Sequence, residues 1–271
     1  MISMLKEKYN SLKEKLKWLD PFTYVEILLR KYHPKKTKPA FQDEAIDSIV
    51  YVVSALVFAF LLYSILGFLF NTSSPMVIVS SASMVPEMYR GDIIVLYGEK
   101  NIKAQEVSLN TSIGNKMYFE FGKTFPEPIE KFIDPATGKI VIKVSEAKEL
   151  EIGGEKIPVT KDGDIIVYFS PFSGKEIIHR AIAKIHASDG TFFLTKGDAN
   201  PSIDQECTPI NNSFGDTQYL ACITKNAVPE NEIKGKAVFR VPLLGCIKLW
   251  VFDNIPAILS GRSNSDFSGL C

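Results

Sequence analysis

The sequence is sparing in several residue types. It has four cysteines and three histidines in 271 residues. Cys207, Cys222, Cys246 and Cys271 show no C-x-x-C spacing, and His33, His179 and His186 form no ligand cluster. That pattern argues against a zinc site. Net charge is also missing, because 31 Lys and Arg balance 31 Asp and Glu. No global field therefore draws the chain to nucleic acid. A second long apolar run is lacking too. Residues 241–259 are interrupted by Lys248, Asp253 and Pro256, so they read as a membrane-facing amphipathic surface rather than a second span. What remains, with 46% hydrophobic residues, is enough for one sizeable core plus an anchor, or for two small domains.

One long run is present. Residues 49–70 are 22 positions without a charge. At ~1.5 Å per residue a helix of that length spans roughly 33 Å, enough for a bilayer core. It starts too far from residue 1, and is too long, for a cleaved signal peptide. Residues 1–43 carry ten Lys and Arg, whereas Arg90 is the one basic residue in the twenty positions after Phe70. The positive-inside rule places residues 1–45 in the cytoplasm, makes 46–70 the transmembrane helix, and puts 71–245 outside. Ile2, Leu5, Tyr9, Leu12, Leu16 and Leu19 form a helical apolar stripe. Asp20-Pro21 breaks it, and Phe22, Val25, Leu28, Leu29 and Tyr32 suit one face of a second helix. This basic head reads either as a membrane-surface or partner-binding element or as a small hairpin with a solvated face.

Past Phe70 the chain reads as mainly β, and its 11% aromatic content agrees. Arg90-Gly91-Asp92-Ile93-Ile94-Val95 is nearly repeated by Asp162-Gly163-Asp164-Ile165-Ile166-Val167. Each predicts a Gly-Asp turn feeding a buried strand. Residues 176–185, 192–195 and 233–240 predict further strands, and 99–161 reads as an inserted β-subdomain. Residues 246–271 form a membrane-proximal C-terminal segment. Three N-x-S/T sequons begin at Asn71, Asn110 and Asn211.

The chemistry gathers around Ser83. Residues 79–86, Val-Ser-Ser-Ala-Ser-Met-Val-Pro, predict a strand edge that delivers a serine into a turn stiffened by Pro86. A serine needs a base to take its proton, and a histidine base needs an acid to hold its tautomer. His179, in the middle of a strand, is the leading base, since His186 has no comparable neighbourhood. The acid is Asp198 or Asp204, both in a loop that also holds Gly197 and Pro201. Cys207 and Cys222, fifteen positions apart, can bridge in an outer compartment, which adds roughly 3 kcal/mol by loop-closure estimates; free thiols are the alternative.

Residues 81–86 with Arg90-Gly91-Asp92 resemble the nucleophile box of type I signal peptidases. Ile178-His179-Arg180-Ala181-Ile182 resembles their base box. Lys196-Gly197-Asp198-Ala199-Asn200 with Asp204 resembles the acid box, and Ile233-Lys234-Gly235, Val238-Phe239-Arg240 and Pro242 to Gly245 resemble the last strand and turn. Bacterial members carry a lysine where His179 stands, so the resemblance is to the archaeal and endoplasmic-reticulum type. It implies a signal-peptidase/LexA-like antiparallel β catalytic domain. It implies that Ser83 is the nucleophile, His179 the general base, Asp204 the supporting acid and Asp198 the other carboxylate of the box. By analogy with the bacterial type, the Ser81 hydroxyl and the Ser83 N–H form an oxyanion hole. The implied activity is a single-pass serine endopeptidase of the cell membrane that cleaves signal peptides from secretory preproteins after small residues. It needs no metal or cofactor, and its partners are the preproteins, the lipid bilayer and the secretion machinery. A self-cleaving Ser-Lys regulator and an inactive membrane-tethered scaffold are the alternatives. Ala82 stands where many relatives have Gly, and Ala199 where eukaryotic relatives have Asn.

Overall fold

A computed structural model describes residues 21–32, 41–98, 101–133, 140–207, 209–211, 217–219 and 222–250. The apolar stripe of residues 2–19, residues 33–40 and the far part of the C-terminal segment lie outside the described residues. The chain divides into two units, Met1–Leu69 and Phe70–Cys271.

In the first unit, α1 (Pro21–Tyr32) is the helix expected after Asp20. Pro21 opens it, where its missing N–H costs nothing and its fixed φ suits the first turn. The second helix, α2 (Phe41–Leu69), collects Asp43, Glu44 and Asp47 before its apolar stretch begins. Its segment Ala45–Leu69 is long and apolar enough to cross a membrane, and none of its apolar window is buried within the protein. Ile49, Val52, Leu56, Phe60 and Phe68 are all exposed. A helix that is apolar all round yet unburied by protein is suited to lipid.

The second unit is mainly antiparallel β. An eight-stranded sheet runs in the order β1 (Met76–Ile78), β2 (Ile93–Tyr97), β13 (Ile233–Val241), β7 (Ile165–Ser170), β8 (Lys175–Ala187), β9 (Gly190–Lys196) and β12 (Val228–Pro229), with β3 (Gln105–Ser108) pairing β8 in parallel. A second sheet holds β4 (Gly122–Ile133), β5 (Ile140–Ile152) and β6 (Glu155–Pro158), and a small hairpin pairs β10 (Pro209–Asn211) with β11 (Thr217–Tyr219). The stretch 99–161, expected as an inserted β-subdomain, holds β3 to β6. Its β3 completes the main sheet, and Leu150, Ile152 and Ile157 share one core cluster with Ile182, Ile185 and Leu194.

Strand β8 organises this unit. It pairs β7 through residues 175–180, then β9 through 180–187, with a register irregularity between Ala181 and Ala183. His179 lies opposite Ile166 at this handover, and Arg180 lies opposite both Ile165 and Lys196. Side chains alternate across a sheet, so His179 and Arg180 leave the same strand on opposite faces. A separate cluster of Val79, Met84, Met88, Ile94, Leu96 and Val167 underlies the turn after β1. Met84 is wholly buried, and burying such a side chain contributes roughly 1.5–3 kcal/mol. Met84 within the turn and Met88 just after it therefore peg it to the core.

Candidate active site

The turn carrying Ser83 is held from below. Val79 N–H donates to the Asp92 carbonyl at 2.9 Å, and Gly91 N–H donates to the Val79 carbonyl at 2.8 Å. Gly91 has φ +88, a conformation that a side chain resists. The wholly buried Asp92 carboxylate accepts the Tyr89 N–H at 2.8 Å and the Leu243 N–H at 3.1 Å. Arg240 reaches the same carboxylate at 3.1 Å and donates to the Glu87 carbonyl at 2.6 Å. Asp92 thus ties the turn to residues 240–243 and has a structural duty. From the other side the acid loop closes in. Ala199 N–H donates to the Ser83 carbonyl at 2.8 Å. A Cβ on Gly197 would lie 2.8 Å from that same carbonyl oxygen, so a glycine is required for the approach.

Three of the expected residues meet in one relay. Ser83 Oγ lies 2.9 Å from His179 Nε2, and His179 Nδ1 lies 2.6 Å from Asp204 Oδ2. A carboxylate only accepts, so Nδ1 carries the imidazole proton and Nε2 is left to accept from the serine. His179 and Asp204 are buried, while Ser83 is half-buried. Asp204 Oδ2 also accepts from Tyr168 Oη at 2.9 Å and from Thr195 Oγ1 at 2.6 Å. Burial, helped by the Asp204 charge, pushes the Tyr168 hydroxyl well above its usual pKa, which keeps it a donor. The Asp204 N–H returns to the Thr195 carbonyl at 2.8 Å, and Gln205 accepts the Thr195 N–H at 3.1 Å. These bonds bring the end of the acid loop back beneath β9 and under the imidazole. Chemically, the relay can deprotonate a hydroxyl and hold the imidazolium that results.

Ser81 Oγ sits 3.1 Å from Ser83 Oγ, at the exposed mouth of the site. Asp198 goes elsewhere. Its carboxylate takes Arg180 Nε at 2.8 Å and Nη2 at 2.7 Å, and Arg180 Nη1 donates to the Gly163 carbonyl at 2.7 Å. Of the two candidate acids, Asp204 therefore contacts His179, while Asp198 neutralises the next residue along on the other face. Both side chains of the Arg180–Asp198 pair are buried. Removing one partner leaves a buried charge unpaired. Asp198→Ala should lower stability by about 3–5 kcal/mol, read as an earlier thermal unfolding of the purified protein; an unchanged midpoint would refute the structural role. His186 is exposed near the far end of β8 and takes no part in the relay.

Four supporting residues had no signal in the sequence. Tyr168, Thr195 and Gln205 surround Asp204. Glu146 of β5 pairs with the buried Lys196 at 3.1 Å, and the neighbouring Ala147 N–H donates to the Pro201 carbonyl at 2.8 Å. The second sheet thereby grips the acid loop at its start and near its middle. All of these contacts join residues 9 to 54 positions apart, beyond the reach of any local motif.

No family model matches the chain. Comparison with individual proteins is more telling. The chain is similar to catalytic subunits of signal peptidase complexes. The signal peptidase complex catalytic subunit sec11 of Schizosaccharomyces pombe is 25% identical over 210 residues, covering 78% of this chain and 84% of the relative. The corresponding subunit of Scheffersomyces stipitis is 25% identical over 208 residues, with 77% and 82% covered. An uncharacterized protein of Methanocaldococcus jannaschii is 28% identical over 140 residues, with 49% and 69% covered. The likeness to type I signal peptidases drawn from the boxes around Ser83, His179 and Asp204 is thus matched over most of the chain.

Proposed function

We propose that the protein is a membrane-anchored serine endopeptidase that removes signal peptides from secretory preproteins, cleaving after small residues. The observation that carries this reading is the Ser83–His179–Asp204 relay, at 2.9 and 2.6 Å, in a chain similar to signal peptidase catalytic subunits. In this mechanism Ser83 Oγ attacks the scissile carbonyl as His179 Nε2 takes its proton. The Ser83 N–H and the Ser81 hydroxyl donate to the oxyanion. His179 then protonates the leaving amine, and water, activated in turn by His179, hydrolyses the acyl-enzyme. Asp204 stays ionised and stabilises the imidazolium. Asp198 acts by holding Arg180, and so the strand that bears His179.

The excess of Lys and Arg before the apolar helix supports a cytoplasmic N-terminus and an extracytoplasmic site. Ser83 follows the last residue of the apolar run by thirteen positions, which suits a cleavage site that emerges at the end of a membrane-embedded signal sequence. The buried Lys196 bears on the rival Ser-Lys reading. Its ammonium is engaged by Glu146 and by the Gly197 carbonyl, whereas the base position holds His179.

The deciding experiment is incubation of the purified full-length protein with a preprotein, reading the new N-terminus by mass spectrometry. A single cut after a small residue, at the end of the signal sequence, is expected. Cleavage elsewhere or none would overturn the proposal. Within this mechanism Tyr168→Phe removes one donor to Asp204 and keeps the ring. We expect kcat to fall about tenfold, or about 1.4 kcal/mol, with KM unchanged; steady-state kinetics on the same preprotein check this, and an unaltered kcat would remove Tyr168 from the mechanism.

A further inference from the structure

We propose that the Cys207–Cys222 disulfide is a positioning element of the Ser83–His179–Asp204 relay, a reducible brace that sets where the Asp204 carboxylate stands. This inference rests on the peptidase reading and deepens it.

The bridge lies at the acid. Cys207 follows Asp204 by three positions, and it is bonded to Cys222. The two residues after Cys222 turn back on Asp204 itself. Ile223 N–H donates to the Asp204 carbonyl at 3.0 Å and Thr224 N–H to the same oxygen at 3.1 Å. One covalent bond and two main-chain hydrogen bonds thereby close a small ring that includes the acid. The ring is fastened to β7 as well, since Ser170 Oγ donates to the Ile223 carbonyl at 2.6 Å. Two residues earlier on β7, Tyr168 donates to the Asp204 carboxylate. Side chain and main chain of Asp204 are therefore held from one strand by two routes, and the second route passes through the segment that the disulfide fixes.

The carboxylate has need of such a frame. All three of its donors meet Oδ2, while Oδ1 is buried without a hydrogen-bond partner among the described residues. Oδ1 adds no hold of its own, so the three bonds to Oδ2 orient the group. They form only where the backbone brings that one oxygen within reach of all three donors. Without the bridge, residues 222–224 reach Asp204 only by closing a loop across the intervening chain, which costs conformational entropy. The bridge removes that cost in advance, in an outer compartment that permits disulfides. A displaced acid would no longer hold the His179 tautomer, so the loss should fall on the chemical step and leave substrate binding intact.

The test uses full-length protein in detergent micelles, as wild type and as Cys207→Ala/Cys222→Ala. Each is measured oxidised and after dithiothreitol, which gives two electrons and two protons to the bridge, yielding two thiols, and becomes a cyclic disulfide. Three readouts are taken: kcat and KM on a preprotein, the rate of Ser83 labelling by a fluorophosphonate, and the far-downfield proton signal of His179 Nδ1–H against Asp204. We expect the double variant and the reduced wild type to lose at least tenfold in kcat and in labelling rate. KM should stay within twofold, and the downfield signal should vanish or broaden. Reoxidation should restore the wild type, and dithiothreitol should leave the double variant unchanged. A double variant with full kcat and an intact signal overturns the brace. So does equal inhibition of wild type and variant by dithiothreitol, which would assign the effect to another bridge, since Cys246 is also disulfide-bonded. Should the double variant fail to fold, Cys246→Ala protein, which keeps the Cys207–Cys222 bridge, replaces it: a reversible loss there assigns the effect to that bridge, and insensitivity to dithiothreitol overturns the brace. An oxidised wild type that cleaves no preprotein overturns the peptidase reading instead, and the labelling rate and proton signal still decide the brace.

Discussion

Ser83→Ala should fold normally and lose preprotein cleavage by on the order of 10⁴–10⁶-fold, the range seen when the nucleophile of a serine triad is removed. The change deletes one half-buried oxygen whose partners are His179 Nε2 and Ser81 Oγ. Met84 and Met88 keep the turn pegged to its core cluster, and the Ala199 N–H still finds the carbonyl of residue 83. Stability should therefore move little, and the loss should appear in kcat. The measurement is a single-turnover cleavage assay beside a thermal unfolding scan. The neighbouring Ser81 hydroxyl makes the test sharper. It lies 3.1 Å from Ser83 Oγ, so a variant that kept more than about a thousandth of wild-type activity would point to Ser81 as an alternative nucleophile and sink the single-serine mechanism.

Asp204→Asn should be the most damaging change that keeps side-chain shape, with kcat falling by on the order of 10⁴-fold, as for the equivalent substitution in serine triads. Asp204 Oδ2 accepts from three donors at once, His179, Tyr168 and Thr195. An amide can answer that arrangement in two ways. With its oxygen toward the three donors, its NH₂ occupies the place of Oδ1, where no partner exists among the described residues. With its NH₂ toward them, donors face donors, and His179 must turn its proton to Nε2 and so lose the power to accept from Ser83. The first costs roughly 1–3 kcal/mol for a buried unpaired group, and the second abolishes the relay. A large fall in kcat with a modest fall in unfolding midpoint is the expected pair. Near-normal kcat in a folded Asp204→Asn protein would show that Asp204 does not support the base.

The disulfide brace and the Asn substitution probe the same carboxylate from opposite ends. One disturbs where it stands and the other what it carries. If both reduce kcat and spare KM, the acid acts through His179 and not through the substrate.

Much of this protein is legible along the chain because the relevant physics is local. Residues 49–70 carry no charge, and that alone predicts a span; the structure places the candidate segment at Ala45–Leu69. The two Gly-Asp turns feed β2 and β7 as expected, and His179 falls in β8. Ser83 stands out because three serines and a proline crowd one short turn; the methionine among them proves to be a core residue. The choice of acid was not legible from the spacing of the residues, although the resemblance to the acid box implied Asp204. Asp198 and Asp204 share one loop, and spacing treats them alike. The decision belongs to β8, whose alternation sends His179 and Arg180 to opposite faces, each in need of a carboxylate. Asp198 meets the arginine and Asp204 the histidine because Asp204 N–H pairs with the Thr195 carbonyl and draws the loop's end beneath β9. The assignment of β3 to the main sheet was hidden for a related reason. Its four residues acquire a partner only when β8 runs on past β7 and exposes a free edge. The sequence by itself therefore determined the apolar helix, the two Gly-Asp turns and the candidate serine and histidine, since each rests on residues within a few positions of one another. The tertiary structure decided which carboxylate meets His179, and it recruited Tyr168, Thr195 and Glu146, because those contacts depend on strand register across dozens of residues and no local spacing encodes it.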